Sequence, residues 1–357
     1  MTDFDQKVRY KTLALRTKAH INNPMLPNTC TSGHYKFSNH LYSRLRMVLQ
    51  TNGGCFALCT MCPIPNKASD PNFTKITAEN YINQVKFALK SYTNQETIRI
   101  YCENFFSEKE ISKTANQEIL HLVKKSKCKY LIVDTHPIFI NHDTLKAAWD
   151  ILGDQTKLII GLGLQSANDE IRKICIRTPL TTNELFLKAH QIIQEFGYFT
   201  KGYILLKPPF LLQAEAIKDT VESTIWLHEH GILDITICPI RIANGTVLRD
   251  LFDKKLYSQP KLATLVECLC QIQQKKINVR ISMCDDDIPE IGTILPSGCK
   301  TCEEKILHAL REYNNAMPVD FEKLRCPHCL EEERKYDPKQ FSNLSFQERV
   351  AYWMDLT

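Results

Sequence analysis

From about Arg44 to Met283 the chain alternates short β-branched or aliphatic runs with longer segments of helical spacing. Strands buried on both faces read as near-continuous apolar runs, and the helices joining them place an apolar residue every three to four positions. The pattern predicts strands at Met47–Gln50, Ile98–Cys102, Tyr130–Val133, Leu158–Leu162, Gly202–Leu206, Ile235–Cys238 and Val279–Ser282. Between them it predicts helices at Ala78–Ser91, Lys109–Lys125, Asp143–Leu152, Asn168–Ile174, Thr182–Phe196, Gln213–His230 and Pro260–Lys275. Thr182, Asn183 and Glu184 form a polar helix start ahead of Leu185, Phe186 and Ala189. From about Pro289 the alternation stops and a polar, cysteine-rich tail begins. The expected organisation is an N-terminal extension (1–43), a core domain (44–288) and a C-terminal cysteine-rich extension (289–357).

Six or seven βα units suit a full or partial α/β barrel, with its chemistry at the C-terminal ends of the strands. A doubly wound open sheet is the rival, and periodicity does not separate the two. The first strand is followed by a cysteine loop and not by a GxGxxG turn.

Composition narrows the setting. No apolar run approaches the roughly 18–20 residues of a membrane span, since Tyr203–Leu212 is broken by Lys207, Pro208 and Pro209. Asp3, Asp5, Lys7, Arg9 and Lys11 leave no apolar core for a secretory signal, so a soluble, cytosolic protein is expected. In a reducing compartment, clustered members of the 15 cysteines point to metals or chemistry and not to disulfides. The net charge of +5 is mild; basic residues gather only at Lys124, Lys125, Lys127 and Lys129 and, modestly, before Lys18. A solvated face is the ordinary reading of such a run, and a phosphate-binding patch the alternative.

The chemistry concentrates in two cysteine clusters. In the first, Gly53-Gly54-Cys55-Phe56-Ala57-Leu58-Cys59-Thr60-Met61-Cys62 has the spacing C-x3-C-x2-C. Three thiolates this close can converge on one polynuclear centre, and with four irons a three-cysteine set leaves one iron open to chelate a substrate. The plain alternatives are buried cysteines packed as small hydrophobes, or an incomplete zinc site.

This loop, in the position after the first strand, resembles the signature of the radical S-adenosylmethionine superfamily, with Met61 where an aromatic residue is usual. The resemblance implies an α/β fold, a partial (β/α)6-type TIM barrel. It also implies a [4Fe-4S] cluster on Cys55, Cys59 and Cys62 that cleaves S-adenosylmethionine to a 5'-deoxyadenosyl radical. Gly163-Leu164-Gln165-Ser166 and Arg177 are similar to landmarks of the branch containing the catalytic subunit of Elongator and oxygen-independent coproporphyrinogen oxidase. There Arg177 would hold the cofactor carboxylate, as a planar bidentate donor suits. Asp134, in Leu131–Pro137, would accept from the cofactor amino group, in place of the usual Glu. Glu103 and Asn104 are the polar candidates at the second strand end, and Gln165 and Ser166 those at the fourth.

The most specific resemblance is to the radical subunit of archaeosine synthase and its bacterial relatives. It rests on Cys59-Thr60-Met61-Cys62, on Tyr203–Phe210 with Lys207 as candidate substrate contact, and on the cysteine-bearing tail. It implies a modified 7-deazaguanine base in transfer RNA as substrate, an external flavodoxin- or ferredoxin-like electron donor and a partner subunit. The second-strand turn lacks that family's small-residue motif, and Gln165 stands where it tends to have Glu. Radical chemistry on a small metabolite, or a non-catalytic metal-binding nucleic-acid or regulatory module, are the alternatives.

The second cluster, Cys299-x2-Cys302 and Cys326-x2-Cys329, is a pair of knuckles 23 residues apart. Four soft thiolates close a tetrahedral zinc site; an auxiliary iron–sulfur cluster and reduced thiols are the alternatives. His328 is expected as a loop residue, and Cys128, Cys175, Cys268 and Cys270 as core packing.

Overall fold

Polar caps start most of the helices where the spacing predicts them. Thr77 and Asn80 form a reciprocal capping box for the second helix, and Ser112, Asn141 and Thr182 each accept an N–H from the first turn of the helices that follow. The structure, a computed structural model, describes residues 3–356 apart from 17–20, 22, 39, 54, 71, 179 and 283–291. Lys18, Gly54 and the expected boundary at 288/289 lie outside the described residues.

The strands are β1 (Thr29–Phe37), β2 (His40–Val48), β3 (Thr97–Tyr101), β4 (Tyr130–Thr135), β5 (Lys157–Gln165), β6 (Phe199–Leu206), β7 (Asp234–Pro239) and β8 (Arg280–Ile281). The helices are α1 (Asp3–Ala14), α2 (Ala78–Ser91), α3 (Lys113–Ser126), α4 (His142–Leu152), α5 (Asn183–Glu195), α6 (Gln213–Glu229), α7 (Val247–Asp253), α8 (Leu262–Gln274), α9 (Glu303–Asn314), α10 (Pro327–Tyr336) and α11 (Phe346–Asp355). Predicted helix 168–174 is a short π turn at Ile171–Ile176.

All eight strands form one sheet in sequence order, β2 to β8 parallel and β1 antiparallel to β2. A doubly wound sheet reverses its strand order at a switch point, and this order never reverses, so the architecture is the curled partial barrel. The β1–β2 hairpin was not legible in the pattern: Thr29–Phe37 holds two large apolar residues, Tyr35 and Phe37, and its remaining positions are small or polar. Part of the expected extension 1–43 is therefore sheet.

Strand alternation sorts the side chains into two layers. Leu45, Met47, Ile98, Ile100, Leu131, Val133, Leu158 and Ile160 pack outward in the main core beneath the helices. Cys302, Ile306, Leu310, Phe321 and Cys329 of the C-terminal extension join that same core. The opposite, concave face closes at its floor with Tyr35, Phe37, Ile132 and Ile159. A second apolar cluster gathers Val8 of α1, Met61 of the cysteine loop, Ile171 and Ile176 of the π turn, Leu251 of α7, and Val350 and Trp353 of α11. Helices α1 and α11 are thereby packed beside the cysteine loop.

Candidate active site

The first cysteine loop leaves β2 at the C-terminal end of the sheet. Gly53 (φ +66°) and Leu58 (φ +48°) take left-handed conformations that turn it tightly. Thr60 fastens it to the π turn: its N–H donates to the Ile176 carbonyl (3.0 Å) and its hydroxyl to the Cys175 carbonyl (2.7 Å). Arg177 is the residue that follows, so the same bonds fix it beside the loop. Cys55, Cys59 and Cys62 are half-buried, and burial raises all three thiols, Cys62 to about 11. A metal reverses that by binding the thiolate.

One observation bears on whether these residues fit an iron–sulfur cluster. Beside the loop, the Nε of Arg16 is sealed from solvent and has no hydrogen-bond acceptor among the described residues. Sulfide and thiolate are the acceptors that a cluster brings.

The strand ends arrange the polar candidates around this loop. Glu103, following β3, accepts from the Cys55 N–H (3.0 Å) and the Thr51 hydroxyl (3.1 Å). Asn104 is buried and bridges Glu110 and the His136 N–H (2.8 Å). Asp134 accepts from Tyr203 Oη (2.6 Å) and Arg99 Nη2 (3.4 Å), both on the concave face. A Cβ on Gly161 would stand 2.0 Å from Asp134 Oδ1 and 2.6 Å from Tyr203 Cε2, so only glycine admits this pair. Gln165 sits at a bulge after Gly163 with φ +69°, its amide folded over the Cα of Gly163. Ser166 is buried and donates to Asp219. Arg177 (φ +64°) donates through Nη2 to Asp5 Oδ1 at 2.9 Å, closing α1 onto the π turn.

Lys207 is elsewhere. Strand alternation would aim it inward with Lys201, Tyr203 and Leu205, but β6 ends at Leu206 and Lys207 takes φ +61°. Its fully buried ammonium donates to Glu333 (2.7 Å), Ser258 (2.7 Å) and Asp337 (3.0 Å), so it holds the C-terminal extension to the barrel.

Arg16, Asp5 and Arg99 carry no motif, and Tyr203 enters the sequence reading only as the start of the Tyr203–Phe210 run; the one further signal is the weak basic excess before Lys18 that includes Arg16. His136 follows β4 inside the Leu131–Pro137 run, where the sequence reading assigns a role to Asp134 alone. Its Nδ1 accepts from the Ile138 N–H (3.2 Å), Nε2 meets Thr181 Oγ1 (2.8 Å), and its ring abuts Phe56 (5.0 Å). Burial lowers its pKa from 6.5 to about 4. The folded value lies below the unfolded one, so His136 contributes stability that is complete above pH 6.5 and lost as pH falls through 4. His136→Asn keeps a cap acceptor but cannot titrate, and should remove about 2–3 kcal/mol of that acid-side loss, read as urea midpoints against pH.

At the C-terminal extension, Cys299 and Cys302 Sγ lie 3.6 Å apart, Cys299 and Cys326 3.9 Å, and Cys302 and Cys329 3.6 Å. Four sulfurs at ~2.3 Å from one tetrahedral ion stand about 3.8 Å apart, so the set fits a single ion. Backbone N–H groups of Thr301 and Cys302 draw the Cys299 thiol down to about 6, toward the thiolate a metal needs. Gly298 makes room for the knuckle: a Cβ there would meet Cys302 Sγ at 2.8 Å.

No family model matches the chain. It is 27% identical over 334 residues to an uncharacterised protein of Methanocaldococcus jannaschii, covering 91% of this chain and 90% of that one. It is 25% identical over 275 residues to archaeosine synthase subunit beta of Methanosarcina acetivorans, covering 75% and 77%. Among solved structures, Elp3 of Methanocaldococcus infernus matches with a TM-score of 0.48 at 18% identity, over 69% of this chain and 59% of that one. No helix among the described residues is long and apolar enough to cross a membrane. The C-x3-C-x2-C loop thus lies at the C-terminal end of a curled parallel sheet, in a chain similar over three quarters of its length to archaeosine synthase subunit beta.

Proposed function

We propose that Cys55, Cys59 and Cys62 hold a [4Fe-4S] cluster for reductive cleavage of S-adenosylmethionine, and that the radical acts on a modified 7-deazaguanine base in transfer RNA. The observation that carries the first part is the cysteine loop pinned by Thr60 to the turn that presents Arg177. Relatives named archaeosine synthase subunit beta support the second, and with it a partner subunit. When bound, the reduced cluster supplies the electron that splits the sulfonium into methionine and a 5'-deoxyadenosyl radical.

The protein's residues then bind and orient the cofactor. Glu103, Asp134 and Gln165 offer acceptors for its amino and hydroxyl groups, and Arg177, already paired with the carboxylate of Asp5, offers the site for its carboxylate. Asn104 and Ser166 act through buried bonds that hold the turns after β3 and β5. An external flavodoxin- or ferredoxin-like donor would supply the electrons. In this reading residues 44–288 carry the catalytic site, β1 and the start of β2 complete its sheet from within 1–43, and the described part of 289–357 packs against it.

The test is anaerobic incubation with transfer RNA from cells lacking the protein, followed by mass analysis of the nucleosides. A nucleoside whose mass changes together with 5'-deoxyadenosine release supports the reading; release without any RNA change, and no salt-sensitive retention of RNA, would sink the substrate assignment.

For the tail we propose structural zinc on Cys299, Cys302, Cys326 and Cys329. Cys302→Ala should lose one equivalent of zinc and loosen α9 and α10, whose first turns the knuckles anchor. Cleavage of S-adenosylmethionine per folded molecule should stay within about twofold of the parent, since the radical site lies on other elements. Metal analysis and product chromatography check both.

A further inference from the structure

One side chain of the N-terminal segment reaches the main chain of the cluster loop. Arg16, just beyond α1, donates through Nη2 to the carbonyl of Cys59 at 2.8 Å and through Nη1 to the carbonyl of Cys62. Nη1 also lies 3.5 Å from Asn66 Oδ1, and Asn66 donates in turn to the carbonyls of Asn244 (2.8 Å) and Gly245 (3.2 Å). The guanidinium thus ties two cysteines of the loop to the segment following β7. Two of its three nitrogens are used on backbone. The third, Nε, is enclosed with no acceptor among the described residues, an arrangement that is unfavourable unless an acceptor arrives.

A neutral side chain would suffice to brace two carbonyls. A guanidinium adds a permanent positive charge beside groups that must become thiolates, in a loop whose Cys55 N–H is already held by the carboxyl group of Glu103. Reduction of a cluster adds one negative charge, so a fixed cation at this place favours the reduced form, and a hydrogen bond to sulfur acts in the same direction.

We propose that Arg16 is a positioning residue for the cluster: it holds Cys59 and Cys62 in their ligand turn, and its charge and Nε–H raise the cluster's reduction potential. The inference rests on the reading that Cys55, Cys59 and Cys62 carry a [4Fe-4S] cluster.

The experiment compares the full-length, anaerobically reconstituted parent with Arg16→Gln and Arg16→Lys, by potentiometric titration monitored by electron paramagnetic resonance and by the rate of iron loss to a chelator. At a fixed potential, Arg16→Gln should lower the ratio of reduced to oxidised cluster about tenfold, which is 59 mV for a one-electron couple, and should lose iron faster. Arg16→Lys retains the charge without the fork or the Nε–H, so its ratio should fall between those of the parent and Arg16→Gln while its iron is lost faster. An unchanged ratio in Arg16→Gln overturns the proposal. Should that variant fail to fold by circular dichroism, parental iron retention in Arg16→Lys overturns it instead. A parent protein that takes up no iron refutes the cluster reading itself, before any variant is compared.

Discussion

Anaerobically reconstituted Cys59→Ala protein should be colourless and should release no detectable 5'-deoxyadenosine when reduced in the presence of S-adenosylmethionine. The parent should be brown and should release it with methionine. Two thiolates cannot replace three as the protein's hold on a four-iron centre. The fold should survive, because Cys59 is half-buried at the edge of the second apolar cluster and its truncation removes one sulfur, a loss of about 1 kcal/mol. Absorbance, iron content and product chromatography on the same preparation check the result. Cleavage by the variant at the parental rate would overturn the assignment of the cluster to Cys55, Cys59 and Cys62.

The second large effect is on stability. Lys207→Met should cost about 3–5 kcal/mol, measured by urea unfolding, because it strands Glu333 in the interior. Glu333 is fully buried and also accepts from Thr264 Oγ1 and the Lys261 N–H, neither of which neutralises it. Asp337 keeps some exposure and can recover water. The double variant Lys207→Met, Glu333→Met removes both charges and should regain much of the loss, since a buried ion pair often contributes little beyond an apolar pair of equal volume. The measurement also separates two roles for Lys207. A clamp predicts lost stability with S-adenosylmethionine cleavage retained per folded molecule, whereas a substrate contact predicts a stable protein with impaired product formation.

The clamp shows how the C-terminal extension serves the barrel. The paired cysteine knuckles anchor the starts of α9 and α10, and α10 delivers Glu333 to the end of β6. Arg349 of α11 adds a bidentate pair with Glu215 and a bond to the Phe210 carbonyl (2.8 Å). The turn Lys207–Phe210 is therefore fastened by residues more than 120 positions later in the chain. Nothing in the local sequence of that turn announces it.

The sequence by itself determined the elements whose signal is local. Apolar runs in β3 to β7, helices with a polar cap and an apolar stripe, and cysteine spacings that no core requires were all legible, because each depends on residues within a few positions of one another. They suffice for an α/β fold of repeated βα units and for two cysteine clusters with metal-ligand spacing. The tertiary structure alone decided the rest. β1 holds few apolar residues and is a strand because β2 offers it a partner along nine residue pairs. Lys207 has the inward parity of its strand, yet a left-handed turn and two distant carboxylates claim it. Arg177 meets Asp5, and Arg16 meets Cys59 and Cys62, only because α1 folds back beside the π turn. Long-range charge pairing and main-chain recognition leave no periodicity in a sequence. They become visible when the chain brings together residues that are 43 to 172 positions apart.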